Sequence, residues 1–207
     1  MQTLFIAGGS ASGKSTLARM IADALAARGQ GVTVLRQDSF YHDRPDGSDG
    51  TDRHLYDFDQ PYAIDWDTFE AALRALQAGR AAAVPDYDFG VSRRVGMGAL
   101  RPEGVLLIVD GTLILHAEGL RSHADACLYV RAPQALRRAR RLHRDTVERN
   151  RDPADIDRQL RTQVFPAHDA HVAPSAAHAD LVLDATDIMR APDAAIAAVL
   201  ACCPVAD

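Results

Sequence analysis

The segment Gly8-Gly9-Ser10-Ala11-Ser12-Gly13-Lys14-Ser15 decides the fold of this chain. It fits the pattern G-x-x-x-x-G-K-[ST], in which glycines let the backbone curl so that several N–H groups point at phosphate oxygens. A short apolar run, 4–7, precedes it and predicts a strand. From Leu17 onward, apolar residues recur at helical spacing as far as Gly29, so the segment joins a strand to a helix whose N-terminus favours anions.

The lysine of this segment is unique in the chain. Of 23 basic residues, 22 are arginine and one is Lys14. A lysine is a flexible point charge that can reach outer phosphates, whereas arginine carries a planar fork. The Ser15 hydroxyl is a ligand of the kind that Mg²⁺ accepts. We therefore predict that the segment holds the phosphates of Mg²⁺-ATP with Gly8, Gly9, Ser10, Ala11, Ser12, Gly13, Lys14, Ser15 and Thr16.

Strand and helix patterns alternate along the rest of the chain. Further strands are predicted at 32–35, 105–109, 126–130 and 181–183. Helices are predicted near 65–79, 133–149, 153–171 and 191–201, and 82–97 is predicted to be an extended or hairpin segment. Alternation with continuously apolar strands indicates a parallel α/β sandwich.

Two carboxylates directly follow predicted strands. Asp110 follows the apolar run 105–109 and is the candidate second metal group beside Ser15. Its neighbour is Gly111 rather than a water-polarising glutamate, which disfavours an ATP-hydrolysing motor. A GTPase is disfavoured because its N-K-x-D motif needs a second lysine. Asp38 follows the second strand and would face the transferred phosphate as a general base, although it could also cap an acidic loop.

Composition limits the classes of function. The 207 residues carry a formal charge of −5, with 47% hydrophobic and 25% charged residues, which suits a globular domain of ordinary size. The net negative charge argues against nucleic-acid binding. No apolar run approaches the ~18 residues of a membrane span, and no secretory signal is visible. Three cysteines, two of them adjacent, form no disulfide framework, so we expect a cytoplasmic protein.

Seven stretches, the first of which contains the segment quoted above, occur in the same order as in a known family. They are GGSASGKST at 8–16, QDSFYHD at 37–43, YDFDQPYAID at 56–65, VPDYDF at 84–89, LLIVDGTLIL at 106–115, RRLHRDTVERNRD at 140–152 and VFPAHDAHVAPS at 164–175. In this order the chain resembles the uridine kinase (uridine–cytidine kinase) family, within the phosphoribulokinase/uridine kinase group of P-loop kinases, over about residues 1–185.

The resemblance implies a fold and an activity. The fold is α/β, a P-loop NTPase three-layer sandwich with a five-stranded, mostly parallel sheet, a small β-hairpin at the acceptor side and a helical lid. We expect a single domain over 1–207, with the acceptor loop and hairpin at about 38–97 and the lid at about 140–160. The activity is ATP-dependent phosphorylation of a ribonucleoside 5′-hydroxyl, and family members often form homo-oligomers.

The resemblance also implies roles for individual residues. Asp38 would be the catalytic base, and Asp59 would hold the ribose 2′- and 3′-hydroxyls. Contacts to the nucleoside would come from Tyr41, Phe58, Tyr87, Arg141 and Gln159. Lid arginines closing over ATP would be Arg144, Arg149 and Arg151. The alternative for the arginine-rich segment is a solvated helix face, and we expect it to hold for Arg137 and Arg138.

Three positions depart from the family pattern. Ser92 stands where the family has a histidine that reads the pyrimidine edge, which leaves the base preference open. Asp110 replaces the usual glutamate, and Asn150 replaces a glycine, which requires a left-handed backbone. The acidic segment 43–54 has no counterpart. Two alternatives therefore stay open: a kinase of the same fold for another small hydroxyl compound, and an ATP-binding regulator without transfer.

Overall fold

Five parallel strands form the centre of the computed structural model, which describes residues 1–43 and 56–205. The seven strands in chain order are β1 Gln2–Gly8, β2 Val32–Arg36, β3 Ala82–Asp88, β4 Arg93–Leu100, β5 Leu106–Asp110, β6 Ala126–Arg131 and β7 Leu181–Asp184. The main sheet has the order β2-β5-β1-β6-β7, and all four of its pairs are parallel. Strands β3 and β4 form a separate antiparallel pair.

Helices cover both faces of the sheet. They are α1 Lys14–Ala26, α2 Trp66–Gln77, α3 Glu118–Arg121, α4 Gln134–Val147, α5 Pro153–Gln159, α6 Phe165–Ala167, α7 Ala185–Arg190 and α8 Pro192–Cys202. After α5 the chain stays helical in π-helical turns and a final 3₁₀ turn, Pro174–His178, so the helix predicted over 153–171 continues further. Within the described ranges, no helix is both long and apolar enough to cross a membrane.

The alternating side chains of β1 divide the core into two layers. Phe5 and Ala7 pack in a cluster with α2, which includes Phe69. Leu4 and Ile6 pack on the opposite face, in a cluster that includes apolar residues of α1 and α8. Because side chains alternate along a strand, one buried strand joins both layers. The three-layer sandwich expected from the sequence is confirmed.

The hairpin β3–β4 is held against the main body by one arginine. Arg94 donates from Nε to the Tyr41 carbonyl oxygen at 2.9 Å and from Nη2 to the Phe40 carbonyl oxygen at 3.3 Å. Its Nη1 lies 3.0 Å from the Asp65 carboxylate, which also caps α2. A single planar guanidinium therefore ties the hairpin to the turn after β2 and to α2.

The arginine-rich helix α4 turns a polar face inward. Its buried residues are Arg137, Arg141 and Asp145, spaced by four, so they share one side of the helix. The expectation of a solvated Arg137 is wrong, because this side chain is 3% exposed and donates from Nε to the Ala132 carbonyl oxygen. Its neighbour Arg138 does face solvent and pairs with Asp157.

We predict that Gly104→Ala destabilises the fold. Gly104 has a φ of 75°, and a Cβ there would overlap the carbonyl oxygen of Gly31, where the starts of β2 and β5 approach each other. The positive φ and the clash together should lower the free energy of unfolding by about 2 kcal/mol or more. Urea denaturation measures this change. The control is Gly119→Ala, whose Cβ meets open space in α3 and which should not lower stability, because alanine is favoured over glycine in a helix.

Candidate active site

The loop between β1 and α1 is shaped by two glycines. Gly8 and Gly13 have φ values of 144° and 111°, which favour glycine, and a Cβ on Gly8 would overlap the Val130 carbonyl oxygen of β6. The Ser12 amide donates to the Gly9 carbonyl oxygen at 3.0 Å and closes the turn. No side chain caps α1 at Gly13. The amides at the helix N-terminus are therefore free to receive an anion.

Lys14 lies inside this loop. It is 8% exposed, and its Nζ donates to the Gly9 carbonyl oxygen at 3.1 Å. Burial lowers the pKa of Lys14, whereas the Asp110 and Asp38 carboxylates raise it in part. The ammonium group is thus placed within electrostatic reach of both carboxylates that the sequence marked.

Ser15 and Asp110 form the oxygen pair at the base of the loop. The Ser15 hydroxyl donates to Oδ2 of Asp110. Burial raises the pKa of Asp110, and the Lys14 ammonium opposes that rise. Phosphate-bound Mg²⁺ takes one or two protein oxygen ligands and keeps several waters, so an adjacent hydroxyl and carboxylate fit this ion.

Two adjoining cavities meet at Asp38. The loop cavity is lined by residues 10–16, by Asp110 and by side chains of α4 and α7. The aromatic cavity lies on the hairpin side. Both cavities share the residues Ser10, Asp38, Thr112 and Arg144. Asp38 is exposed in the 3₁₀ turn Gln37–Phe40 that follows β2, so its carboxylate stands on the boundary.

Aromatic rings form one wall of the aromatic cavity. The Tyr41 ring lies 5.6 Å, centroid to centroid, from both Phe58 and Tyr87. Ser92 lines the same cavity from the hairpin, 7% exposed and with a left-handed φ of 57°. A planar apolar group could stack in this wall, with a short hydroxyl at its edge.

Asp59 is the perturbed acid of the aromatic cavity. Burial raises its pKa to about 6; Arg141 opposes the rise, and the nearby carboxylates of Asp57 and Asp38 add to it. The Asp59 carboxyl therefore changes its charge near pH 6, and the position of this transition depends on Arg141.

Four arginines surround one buried carboxylate between the cavities. Asp145 has no exposed side-chain surface and lies 2.9–3.5 Å from guanidinium nitrogens of Arg141, Arg144, Arg149 and Arg151. Burial alone would raise the pKa of Asp145, but these arginines outweigh it and hold the pKa below its usual value. Arg141 also donates from Nη1 to the Ser10 hydroxyl at 2.8 Å.

Most residues marked by the sequence line one or both cavities. The aromatic cavity contains Asp38, Tyr41, Phe58, Asp59, Tyr87, Ser92, Arg141, Arg144, Arg149, Arg151 and Gln159. The three arginines expected in the lid differ in position: Arg144 lines both cavities, whereas Arg149 and Arg151 line the aromatic cavity. Asn150 has a φ of 48°, as its replacement of glycine requires. Of the acidic segment 43–54, residues 44–54 lie outside the described residues.

Sequence reasoning missed several residues of the site. Thr112 lines both cavities, and its position two residues after Asp110 could have marked it. Phe89 lies at the hairpin turn with the Arg149 guanidinium 5.2 Å from its ring centroid. The loop cavity also includes Arg140, His143, Glu148, Ile188 and Met189. No local pattern distinguishes these last residues, because they come from two segments far apart in the sequence, α4 with its C-terminal end and α7, which line the same cavity.

The fold and the loop define a P-loop protein with a second cavity beside its phosphate site. Residues 4–191 match the model of the Phosphoribulokinase / Uridine kinase family. A uridine kinase from Deinococcus deserti is 34% identical over 178 residues, which cover 86% of this chain and 84% of that protein. The chain belongs to the phosphoribulokinase/uridine kinase family.

Other relatives differ in length or only share the fold. Uridine kinase-like protein 3 of Arabidopsis thaliana is 35% identical over 180 residues, covering 86% of this chain but 38% of that protein. The solved phosphoribulokinase from Rhodobacter spheroides superposes with a TM-score of 0.64 at 16% identity, over 88% of this chain and 70% of the other. At that identity the likeness shows the fold alone.

We predict that the Asp59 carboxyl titrates near pH 6 and that Arg141→Ala raises its pKa further. The arginine stabilises the charged carboxylate, so its removal leaves burial unopposed. Carbon-detected NMR of the aspartate carboxyl groups measures both values. Arg161→Ala, which removes an exposed partner of Asp157, should leave the Asp59 titration unchanged. An Asp59 pKa near 4, the ordinary value of a solvated aspartate, would show that burial does not perturb this carboxyl.

Proposed function

We propose that the protein transfers the terminal phosphoryl group of Mg²⁺-ATP to the 5′-hydroxyl of a ribonucleoside, with uridine and cytidine as the expected acceptors. The observation that carries the proposal is the position of Asp38, on the boundary between the loop cavity and the aromatic cavity. Membership of a family whose relatives include uridine kinases supports it. The odd cysteine count supports a cytoplasmic setting.

The loop cavity suits the donor. Loop amides at the start of α1 would receive the phosphates, and Lys14 would turn from the Gly9 carbonyl oxygen toward the outer phosphates. Ser15 and Asp110 would hold Mg²⁺. When bound, this ion would neutralise charge on the phosphate oxygens. No reacting group other than a phosphate is needed on this side.

The aromatic cavity suits the acceptor. Tyr41, Phe58 and Tyr87 would form the wall for the base. The ionised Asp59 carboxylate would accept hydrogen bonds from both ribose hydroxyls, and Arg141 beside it keeps it charged. A deoxy sugar would leave an acceptor oxygen unpaired in this buried place, which costs affinity.

The boundary between the cavities suits the transfer step. Asp38 would accept the hydrogen bond of the attacking 5′-hydroxyl and take its proton late in the transfer, while ADP leaves. Lys14, Arg144 and Arg149 would stabilise the charge that spreads over the transferred group. Closure of the lid over both substrates would exclude water and so prevent loss of ATP by hydrolysis.

Ser92 is the residue that supports an alternative acceptor. It lines the aromatic cavity where a longer base-reading side chain is expected from the family, so another small hydroxyl compound is the alternative acceptor. A regulator that binds ATP without transfer would have no use for Asp38 and Asp59 arranged around one cavity. The aromatic wall favours a nucleoside over a sugar phosphate, since a planar base gains more from stacking.

We expect Asp38→Asn to lower kcat by a factor on the order of 10²–10⁴ while ADP binding stays nearly intact, because proton removal is lost and the phosphate loop is unchanged. Coupled ADP-release assays measure turnover, and isothermal titration measures ADP affinity. The control Asp193→Asn changes an exposed residue in the first turn of α8 and should match wild type. Undiminished turnover in Asp38→Asn would remove this residue from the mechanism.

We expect ribonucleosides to be phosphorylated with a higher kcat/KM than their 2′-deoxy analogues. The advantage should shrink below about pH 6, where Asp59 becomes protonated and accepts fewer hydrogen bonds. Asp59→Asn should remove the pH dependence and most of the preference. A panel of ribonucleosides and deoxyribonucleosides is assayed between pH 5 and 8, from about one pH unit below to about two above the pKa of Asp59, which is raised to about 6. This assay checks both the preference for ribose and its pH dependence. Equal kcat/KM values for ribonucleosides and their 2′-deoxy analogues would contradict the assignment of Asp59 to the ribose hydroxyls.

A further inference from the structure

Asp145 is bound by two different pairs of arginines, one on each carboxylate oxygen. Oδ1 lies 2.9 Å from Nε of Arg144 and 3.5 Å from Nη1 of Arg149. Oδ2 lies 3.1 Å from Nη1 of Arg151 and 3.4 Å from Nε of Arg141. Arg144 and Arg151 donate a hydrogen bond to one oxygen each, whereas Arg149 and Arg141 lie at ion-pair distance from the same oxygens. A carboxylate has about four lone-pair positions, so one buried group can serve both pairs at once.

The two pairs face different parts of the site. The pair on Oδ2 continues to Gln159, whose Oε1 receives hydrogen bonds from Arg141 at 3.3 Å and Arg151 at 3.0 Å. The pair on Oδ1 includes Arg144, which lines both cavities, and Arg149, whose guanidinium lies over Phe89 of the hairpin. The carboxylate therefore joins the acceptor side of the site to the boundary where phosphoryl transfer would occur.

The Asp145 carboxylate also reduces the electrostatic repulsion among the four arginines. Four guanidinium groups around a buried point repel each other strongly in a medium of low dielectric constant. The Asp145 carboxylate at their centre offsets part of the repulsion. Asp59 near Arg141 and Asp38 near Arg149 offset more of it, and an excess of positive charge remains. That excess is available to an anion entering the site. Arg141 extends the cluster to the phosphate loop through the Ser10 hydroxyl.

We propose that Asp145 is the positioning residue of the reaction. It fixes the Oδ1 pair, on the phosphoryl side, relative to the Oδ2 pair, on the ribose side. Acceptor binding and stabilisation of the phosphoryl group therefore depend on each other. This inference rests on the proposed function. Asp145 lines neither cavity and acts through the four arginines. Asparagine cannot replace it, because an amide has one acceptor oxygen, and its NH₂ group would face guanidinium donors.

The test compares Asp145→Asn with Asp157→Asn. Asp157 is a matched control, since it also pairs with two arginines, Arg138 and Arg161, but neither of these arginines lines either cavity. We expect Asp145→Asn to lower kcat/KM for the nucleoside on the order of 10²-fold, as for misplaced catalytic groups, and to keep the Kd of ADP within about twofold of wild type. Asp157→Asn should match wild type in both.

A second measurement separates positioning from a structural role. The affinity of ADP with aluminium fluoride and a nucleoside, a mimic of the transferring group, is compared with the affinity of ADP alone. We expect Asp145→Asn to lose the extra affinity of the mimic, whereas a variant that is only less stable would keep the ratio of the two affinities. An unchanged ratio would overturn the role of Asp145.

Asp145→Glu provides a second test of the same proposal if the asparagine variant unfolds at the assay temperature. It retains two acceptor oxygens but displaces them by one methylene, so we expect it to bind ADP as wild type does and to lose about tenfold in kcat/KM. Full activity of the glutamate variant, or unfolding of both variants, would overturn the inference. Inactive wild-type protein on every ribonucleoside would overturn the proposed function and this inference with it.

Discussion

The parallel pairing of β1 between β5 and β6 is the constraint on which the site depends. In this register Ile6 lies beside Asp110, and Gly8 lies beside Val130. Parallel strands end at the same edge of the sheet, so the phosphate loop, the metal-side carboxylate and the turn that carries Asp38 are brought together there. Gly8 has no side chain because the β6 backbone occupies that space. The loop therefore takes its shape from the sheet as well as from its own glycines.

Burial of charge gives the site its electrostatic character. Lys14 and Asp110 each shift in pKa toward the neutral form on burial, and each limits the shift of the other. Asp145 shows the opposite balance, because its arginine partners outweigh burial. Buried charges of this kind are costly unless they are paired. Here Lys14 and Asp110 are held by hydrogen bonds to Gly9 and Ser15, and Asp145 is held by arginines. A phosphate that enters the loop therefore meets oriented groups, which would reduce the reorganisation needed for transfer.

The hairpin is where members of one fold can differ in acceptor. The main sheet and the phosphate loop carry the residues of the loop cavity, whereas Tyr87 reaches the aromatic cavity from β3, and Phe89 and Ser92 reach it from the turn between β3 and β4. Arg94 fastens this hairpin to the backbone beside Asp38. Under the proposed function, replacement of a side chain on the hairpin would alter which acceptor binds, while Asp38, the proposed base, would keep its position. This arrangement agrees with a family whose fold is shared by proteins named for different substrates.

The amino-acid sequence by itself determined the phosphate loop, the five strands, the hairpin and the two carboxylates after strands β2 and β5. These depend on short-range patterns: glycine conformation, apolar runs and the alternation of strand and helix. Only the tertiary structure decided which face of α4 turns inward. Composition indicated solvent for Arg137, but the helix packs its polar face on the phosphate loop, so Arg137 and Asp145 are buried. Such burial is set by contacts between segments more than a hundred residues apart, as between Arg141 and Ser10, and no local pattern encodes them.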